Sequence, residues 1–271
     1  MIPLKAAAFD LDDTLLRNDL SISFRTLETF RRMHDSGFIF VAASGRTMMS
    51  MKPFTDQLKC VSLCIACNGA LIWDPNTNQV LHREVFPTEL CKEIARFGNE
   101  YHCYAQTYSD DCFFFNEYSK YSERYAAASM LPGKYVGDLE LFIREPRSKI
   151  LMIAEEQKIA MMLEEARKRF AGRASVTCSK PYYLEFNPLM ATKGIALSKV
   201  SGLLGLSVKE FAVFGDSMND LSMLEIAGRS VAVANARQDV LSFCNETCLS
   251  NEEDGVARYL AQNVLKEDAL S

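Results

Sequence analysis

The chain of 271 residues has few of the features that mark membrane, secreted or nucleic-acid-binding proteins. Its longest run without a charged residue, Cys60–Trp73, has 14 residues, whereas a membrane-spanning helix needs roughly 18 or more. The N-terminus offers one Lys and a short apolar run that Asp10 ends, too little for a signal peptide. No Lys/Arg-rich block occurs, and the net charge is −5. We therefore expect a cytoplasmic protein whose partner is neither a membrane nor a nucleic acid.

Histidine is scarce, and the cysteines lack the spacing of a zinc site. The chain has only three histidines, and no pair of them has zinc-ligand spacing: His34, His82 and His102. Of the nine cysteines, Cys60, Cys64 and Cys67 lie in one apolar segment with no matching pair nearby. Structural zinc sites use four ligands in paired short spacings. We therefore expect buried, reduced thiols in an intracellular protein.

Short apolar runs of strand length recur along the chain, separated by helical patterns. Such alternation predicts parallel βαβ units. The runs are Lys5–Phe9, Phe38–Ala43, Leu63–Ala66, Phe211–Phe214 and Val231–Val233. In four of the five, a polar residue or a glycine follows at once or nearly so, and α/β sheets build their sites at these strand ends. The sequence therefore predicts an α/β fold with a Rossmann-like parallel sheet as its core.

The middle of the chain differs in composition and is rich in Tyr and Phe. Strands are predicted at about 80–86, 102–107, 112–115, 149–154, 174–179 and 182–186, and helices at about 88–99, 118–129 and 155–170. This mixture predicts a separate α+β module. We place the module at 83–187, inserted into a core formed by 1–82 and 188–271.

A pair of acids follows the first predicted strand. The segment Asp10–Leu15 places two carboxylates, Asp10 and Asp12, where both can face one small volume. Phosphoryl transfer through a covalent intermediate needs such a pair, one group to attack phosphorus and one to move protons. A loop of helix-capping acids explains these six residues equally well.

Three further segments favour the phosphoryl-transfer interpretation. Gly215–Asp220 again places acids directly after an apolar strand, and gathered carboxylates suit a hard cation such as Mg²⁺. Ser44–Arg46 ends another strand and supplies a hydroxyl and N–H donors for a phosphate oxygen. Lys193, near the start of a predicted helix, supplies a positive charge for the phosphoryl oxygens.

The order Asp-x-Asp-x-Thr, Ser-Gly-Arg, Thr-Lys-Gly and Gly-Asp-x-x-Asn-Asp resembles the haloacid dehalogenase superfamily, specifically its Cof-type sugar-phosphatase branch. The resemblance covers essentially the whole chain. It implies that Asp10 is the nucleophile and Asp12 the general acid and base. The resemblance further implies that the substrate phosphate is bound by Ser44, Gly45, Lys193 and Asn219. It implies that Mg²⁺ is bound by the carboxylates of Asp10 and Asp216 and by the backbone carbonyl of Asp12. The residues that it implies as supports of the site are Thr14, Arg46, Asn68 and Asp220.

Three positions near these motifs leave alternatives open. The family usually has Gly where this chain has Asp13, an acid that either tightens the turn or faces solvent. Asn68 begins an Asn-Gly pair, a strong hairpin signal, and we favour a turn that lies close to the substrate. Arg46 either forms an ion pair within the core or reaches the substrate, and the structural role is slightly favoured.

Motif spacing indicates the subtype. Between Asp10 and Ser44 there are 33 residues, and between Ser44 and Lys193 there are 148, so the inserted module enters after the second motif. That arrangement resembles the C2-capped class with a type B cap, in which the cap closes over the core and selects the substrate. Tyr182, Tyr183 and Glu185, at the return to the core, are candidates to contact the leaving group.

The second carboxylate also separates activities within the superfamily. The resemblance implies that Asp12 suits a phosphatase, because related ion pumps have Thr there and dehalogenases lack this acid. We therefore expect a Mg²⁺-dependent phosphatase that hydrolyses small phosphomonoesters, sugar phosphates or other phosphorylated metabolites, through an aspartyl-phosphate. The alternatives are a phosphomutase of the phosphomannomutase-like type and a catalytically silent binding protein on the same scaffold.

Overall fold

A computed structural model describes residues 3–109, 111–178 and 180–266 and divides the chain into two compact units. The first comprises the chain up to Gly45, Met51–His82 and the chain from Thr192 onward, and the second comprises Arg46–Ser50 and Arg83–Ala191. The predicted module, 83–187, lies within the second unit, and its role as a cap stays a prediction. Within the described ranges, the helices are too short or too polar to cross a membrane.

The strands and helices follow the chain in an alternating order. The strands are β1 (Ala6–Phe9), β2 (Ile39–Ala43), β3 (Val61–Ala66), β4 (Leu71–Asp74), β5 (Gln79–Arg83), β6 (Tyr104–Tyr108), β7 (Phe113–Phe115), β8 (Gly133–Tyr135), β9 (Ile150–Ile153), β10 (Ser175–Thr177), β11 (Tyr183–Asn187), β12 (Phe211–Gly215), β13 (Arg229–Val233) and β14 (Glu246–Cys248). The α-helices are α1 (Phe24–Asp35), α2 (Met48–Leu58), α3 (Thr88–Glu100), α4 (Lys120–Ser129), α5 (Leu139–Phe142), α6 (Glu156–Arg169), α7 (Lys193–Leu203), α8 (Leu221–Ile226), α9 (Gln238–Phe243) and α10 (Gly255–Asn263).

An eight-stranded sheet forms the first unit, in the order β14-β13-β12-β1-β2-β3-β4-β5. The pairs from β14 to β3 are parallel, whereas β3 and β4 are antiparallel. β1 lies between β2 and β12, with Phe9 opposite both Ala42 and Phe214. The predicted α/β fold with a parallel core is confirmed, and the carboxyl ends of three neighbouring strands lie side by side.

The core of the first unit explains why these segments become strands and helices. All four residues of β1 are fully buried, as a central parallel strand covered on both faces requires. Two helices begin at residues whose side chains accept a backbone N–H, Ser23 before α1 and Thr192 before α7. The predicted turn at Asn68 is confirmed, because a 3₁₀ turn, Cys67–Gly69, joins β3 to β4.

The second unit is built on a six-stranded sheet in the order β10-β11-β9-β6-β7-β8, antiparallel except for the pair β7–β8. One face is an apolar core that includes Phe97 of α3, Met162 of α6 and Phe186 of β11. The opposite face contains tyrosines as well as aliphatic residues, among them Tyr104 and Tyr108 of β6. The sheet is therefore apolar on one side and mixed on the other.

Element bounds in the middle of the chain differ from the predicted ones by a few residues. The strand predicted at 80–86 spans Gln79–Arg83, and the helix predicted at 118–129 begins at Lys120 because Ser119 caps it. β8 and α5 were not predicted, since three or four residues give too short a pattern to read. Residues 1, 2, 110, 179 and 267–271 lie outside the described residues, and they include parts of the predicted domains and of the predicted strand 174–179.

Candidate active site

Polar residues at the ends of neighbouring parallel strands converge in the first unit. Asp10 follows β1, Ser44 follows β2, and Asp216 follows β12, while Lys193 is the first residue of α7. The backbone N–H of Asp10 donates to the carbonyl of Phe214, which ties the ends of β1 and β12 together. The sheet order thus brings together groups that lie up to about 200 residues apart in the chain.

Lys193 is the centre of this arrangement. Its side chain is fully buried, and its Nζ lies 2.6 Å from Oδ1 of Asp10 and 2.6 Å from Oδ1 of Asp220. Burial by itself lowers the pKa of Lys193, but the charges of Asp10 and Asp220 outweigh it, and the pKa lies above its usual value. The ammonium therefore stays charged at neutral pH and neutralises part of the acidic cluster.

Three carboxylates meet at this lysine. Asp10, Asp216 and Asp220 each offer an oxygen within 4.8 Å of the others. Burial raises the pKa of Asp10 well above its usual value, since the charge of Lys193 only partly offsets burial and the repulsion from neighbouring acids. Burial and repulsion from Asp220 raise the pKa of Asp216 to about 7. The cluster therefore holds more negative charge than one ammonium can balance, and it could hold a hard cation with oxygen ligands.

Asp220 differs from the other two acids in its partners. Its Oδ1 accepts from Lys193, and its Oδ2 accepts from the backbone N–H groups of Asp216 and Ser217 at 3.0 Å each. Gly215 permits this approach, because a Cβ atom there would lie 2.5 Å from the Cβ of Asp220. Both oxygens of Asp220 are thus engaged with donors, which leaves Asp10 and Asp216 as the better placed cation ligands.

The segment after Asp10 turns sharply and exposes one acid. Asp12 is half-buried, and Asp13 is exposed with a φ of 57°. This left-handed conformation is easiest for Gly, the residue usual at this place in the family that the chain resembles. Thr14 is buried and donates its hydroxyl proton to Oδ1 of Asp216 at 2.9 Å, so that it links the first motif to the last.

Asn68 connects the second motif to the fourth. Its backbone N–H donates to the carbonyl of Ser44 at 3.0 Å, and its Oδ1 accepts from Nδ2 of Asn219 at 3.0 Å. A Cβ atom on Gly45 would lie 3.0 Å from the Asn68 amide oxygen, so the two residues are in close contact. The structure therefore brings Ser44, Gly45, Asn68 and Asn219 together. Arg46 is half-buried and belongs to the second unit.

Comparison with known proteins identifies the family. A family model described as haloacid dehalogenase-like hydrolase matches residues 7–260. The chain belongs to this family. The prediction of a haloacid dehalogenase-type enzyme that acts on phosphoric monoesters is thereby confirmed at the level of family and enzyme class.

Several relatives of this hydrolase match over almost their whole length. The chain is 29% identical over 266 residues to the 5-amino-6-(5-phospho-D-ribitylamino)uracil phosphatase YcsE of Bacillus subtilis (strain 168), which covers 97% of both chains. A solved haloacid dehalogenase-like hydrolase from Bacteroides thetaiotaomicron is 28% identical with a TM-score of 0.88, covering 96% of this chain and 99% of the other. A sugar phosphatase of subclass IIB shares the fold, at 20% identity and a TM-score of 0.82, over 95% of this chain and 98% of the other.

Two asparagines of the hydrolase were not predicted from the sequence. Nδ2 of Asn235 donates to the carbonyl of Asp13 at 2.7 Å, and Nδ2 of the buried Asn251 donates to the carbonyl of Leu16 at 2.9 Å. The backbone N–H of Asn251 donates to Oδ1 of Asn235, which makes the pair one unit. Asn235 lies just after β13, and the expectation that polar residues at strand ends form the site could have identified it. No local sequence pattern distinguishes Asn251.

Proposed function

We propose that this hydrolase is a Mg²⁺-dependent phosphatase that cleaves small phosphomonoesters through an aspartyl-phosphate formed on Asp10. The observation that supports it most is the buried ammonium of Lys193, 2.6 Å from both Asp10 and Asp220, within a cluster of three carboxylates. A fixed positive charge beside a carboxylate nucleophile suits the approach of a phosphoryl group, whose oxygens carry negative charge.

The residues of the cluster fit a magnesium ion. Asp10, the backbone carbonyl of Asp12 and Asp216 are the proposed ligands. The pKa values of Asp10 and Asp216 are raised because burying ionised carboxylates close together is energetically unfavourable. A bound cation offsets this unfavourable free energy. When bound, Mg²⁺ supplies positive charge that keeps these carboxylates ionised and offsets the charge of the phosphoryl oxygens.

The proposed reaction has two displacements at phosphorus. A carboxylate oxygen of Asp10 attacks phosphorus as the bond to the substrate oxygen breaks, and Asp12 gives its proton to the leaving alkoxide. Asp12 then takes a proton from water, which attacks the phosphorus and breaks the bond to Asp10, so that inorganic phosphate is released. Lys193 holds the phosphoryl oxygens throughout, and Asp220 keeps its ammonium in position.

The proposed substrates are sugar phosphates or related phosphorylated metabolites. One relative is named for a phosphate carried on a ribitylamino group, and a sugar phosphatase shares the fold. We assign substrate selection to the second unit, as the cap. The cysteines are present as thiols, which suits a reducing compartment, and we propose the cytoplasm as the place of action.

The test is a phosphate-release assay with an aryl phosphate, with and without Mg²⁺. Asp10→Asn removes the nucleophile and is expected to lower kcat by at least about 10⁴-fold while the fold persists. The control is Asp13→Asn, which changes an exposed acid of the same loop and should leave kcat within about twofold. Full Mg²⁺-dependent turnover by Asp10→Asn would show that the nucleophile is another residue.

A further inference from the structure

The mixed face of the second unit holds a cluster of buried polar side chains. Along β11, Leu184 and Phe186 pack into the apolar core on one face of the sheet, so Glu185 and Asn187 lie on the other face. Nζ of Lys149, just before β9, donates to Oε1 of Glu185 at 2.7 Å. Lys149 and Glu185 are each 5% exposed and Asn187 is 2% exposed. We call Lys149, Glu185 and Asn187 the polar cluster.

Strand register places the members of this cluster side by side. Phe186 of β11 lies opposite Ile150 of β9 in the antiparallel ladder. Continuing the register by one residue places Asn187 opposite Lys149. The hydroxyl of Thr107 on β6 donates to the carbonyl of Lys149 at 2.9 Å and holds the backbone there. The polar cluster is therefore built on adjacent strands and not on a loop.

One polar atom of the cluster lacks a partner. Oδ1 of Asn187 is buried with no hydrogen-bond partner in the described part of the chain. Such an acceptor lowers the stability of the fold unless something donates to it. Nε of Arg147, in the same unit, is also unpaired, but its guanidinium lies 5.4 Å and 5.7 Å from the ring centroids of Phe114 and Phe142, a structural role. Among the residues that the structure describes, Oδ1 of Asn187 has no comparable contact.

Neighbouring polar groups on the same face satisfy each other. Tyr104 donates to Oε1 of Gln106 at 2.8 Å, and Nε2 of Gln106 donates to the hydroxyl of Tyr108 at 2.7 Å. Lys149, by contrast, has three donors, and within the described ranges one of them is engaged, by Glu185. An unpaired acceptor beside an ammonium with donors to spare matches one chemical group best: a hydroxyl, which can donate to the first and accept from the second.

We propose that Lys149 and Asn187 form a hydroxyl-binding subsite for a polyhydroxylated leaving group, that is, a sugar or a sugar alcohol. This inference rests on the proposed phosphatase function, and it selects among the substrates named there. Only five residues separate Asn187 from Lys193 along the chain, so the subsite directly precedes in sequence the residue proposed to hold the phosphoryl group. Lys149 and Asn187 are thus specificity-determining residues, whereas Glu185 positions the ammonium of Lys149.

The test compares two kinds of substrate. Asn187→Leu removes the acceptor with little change in volume, and it is assayed for kcat/KM on ribitol 5-phosphate, sorbitol 6-phosphate and glucose 6-phosphate and on p-nitrophenyl phosphate, which has no hydroxyl. We expect kcat/KM on the best of the three sugar or polyol phosphates to fall about tenfold, mainly through KM, with the aryl phosphate within twofold. Asn187→Asp keeps an acceptor oxygen and should retain most of the selectivity.

Two further variants separate recognition from folding. Arg147→Lys alters the other described residue of this unit that has a buried unpaired side-chain atom, and it should leave the ratio of the two kcat/KM values unchanged. If Asn187→Leu does not fold, Asn187→Ser, smaller and polar, replaces it with the same expected loss of selectivity. An unchanged ratio in the folded Asn187 variants, with aryl phosphatase activity intact, would overturn the subsite and leave the proposed function standing.

If the wild-type protein releases no phosphate from any substrate, the proposed function is overturned. The subsite is then tested by direct binding of free sugars and sugar alcohols. Calorimetric titration with free ribitol, sorbitol and glucose then tests the subsite alone. Binding to the wild-type protein that Asn187→Leu abolishes supports the subsite. Absence of binding to the wild-type protein overturns it.

Discussion

Each unit of this hydrolase buries a lysine against carboxylates, and the two clusters differ in charge. In the first unit, Lys193 faces Asp10 and Asp220 with Asp216 close by. In the second unit, Lys149 donates to Glu185 at 2.7 Å. Three acids around one ammonium leave an excess of negative charge, which calls for a cation. Lys149 and Glu185 as a pair carry one charge of each sign and add no excess negative charge of the kind found in the first unit.

The largest expected effect is the loss of activity when the lysine of the first unit is replaced. Lys193→Met removes the only ammonium within the acidic cluster of the described residues, and we expect kcat for an aryl phosphate to fall about 10²- to 10³-fold. The matched change in the second unit, Lys149→Met, should leave this activity within a few-fold. Phosphate release measures both, and equal losses would remove the distinction between the two clusters.

The second prediction concerns pH and metal removal. In the metal-free protein, the pKa of Asp216 is about 7, against an ordinary value of 3.8. Between these values the folded state binds more protons at Asp216 than the unfolded chain does, so the contribution of Asp216 to stability is fully present below about pH 4 and is lost as pH rises through 7. The raised pKa of Asp10 acts in the same direction.

Added Mg²⁺ should therefore raise Tm more at pH 8 than at pH 5, because its ligands must be deprotonated. Thermal unfolding with EDTA and with Mg²⁺ at both pH values gives the comparison. Asp216→Asn should weaken the dependence on pH and on Mg²⁺ together. A Mg²⁺ effect on Tm that is equal at the two pH values would contradict the assignment of Asp216 to the cation.

A smaller effect is expected from the asparagine pair that supports the loop after β1. Asn251→Ala leaves the buried carbonyl of Leu16 without its side-chain donor, whereas the backbone N–H that donates to Asn235 stays, so we expect a loss of about 1–3 kcal/mol in the free energy of unfolding. Displacement of the loop should lower kcat several-fold with KM nearly unchanged. Gln238→Ala, which removes an exposed hydrogen bond within α9, is the control and should change neither quantity.

The smallest effect is expected at the exposed acid of the same loop. Asp13→Gly relieves the left-handed conformation at φ 57°, and we expect a gain of about 0.5–1 kcal/mol in the free energy of unfolding, with kcat within twofold. It also removes one of the charges that raise the pKa of Asp216. Asp19→Gly, at another exposed acid of this region but without a positive φ, should be neutral or destabilising; a matching gain there would refute the conformational explanation.

The candidate site was largely predictable because its parts are local signals. Strand-length apolar runs followed at once by Asp10, Ser44 or Asp216 are visible in the sequence, and a parallel sheet necessarily places such strand ends along one edge. The resemblance to the family added the roles of the motif residues. The short strands of the second unit were harder to predict from the sequence. The three residues of β8, for example, form a strand because they pair with β7 and show no strand pattern of their own.

What the sequence determined by itself is therefore the α/β class of the fold, the family and the set of residues from which the site is made. Tertiary structure alone decided how they are paired: Asp220 accepts from Lys193 and from two backbone N–H groups, Thr14 donates to Asp216, and Asn251 supports a loop 235 residues away. It also left Asn187 with a buried, unpaired oxygen. Periodicity and capping are encoded within a few residues, whereas burial, charge balance and unsatisfied hydrogen bonds depend on neighbours that only the folded chain supplies.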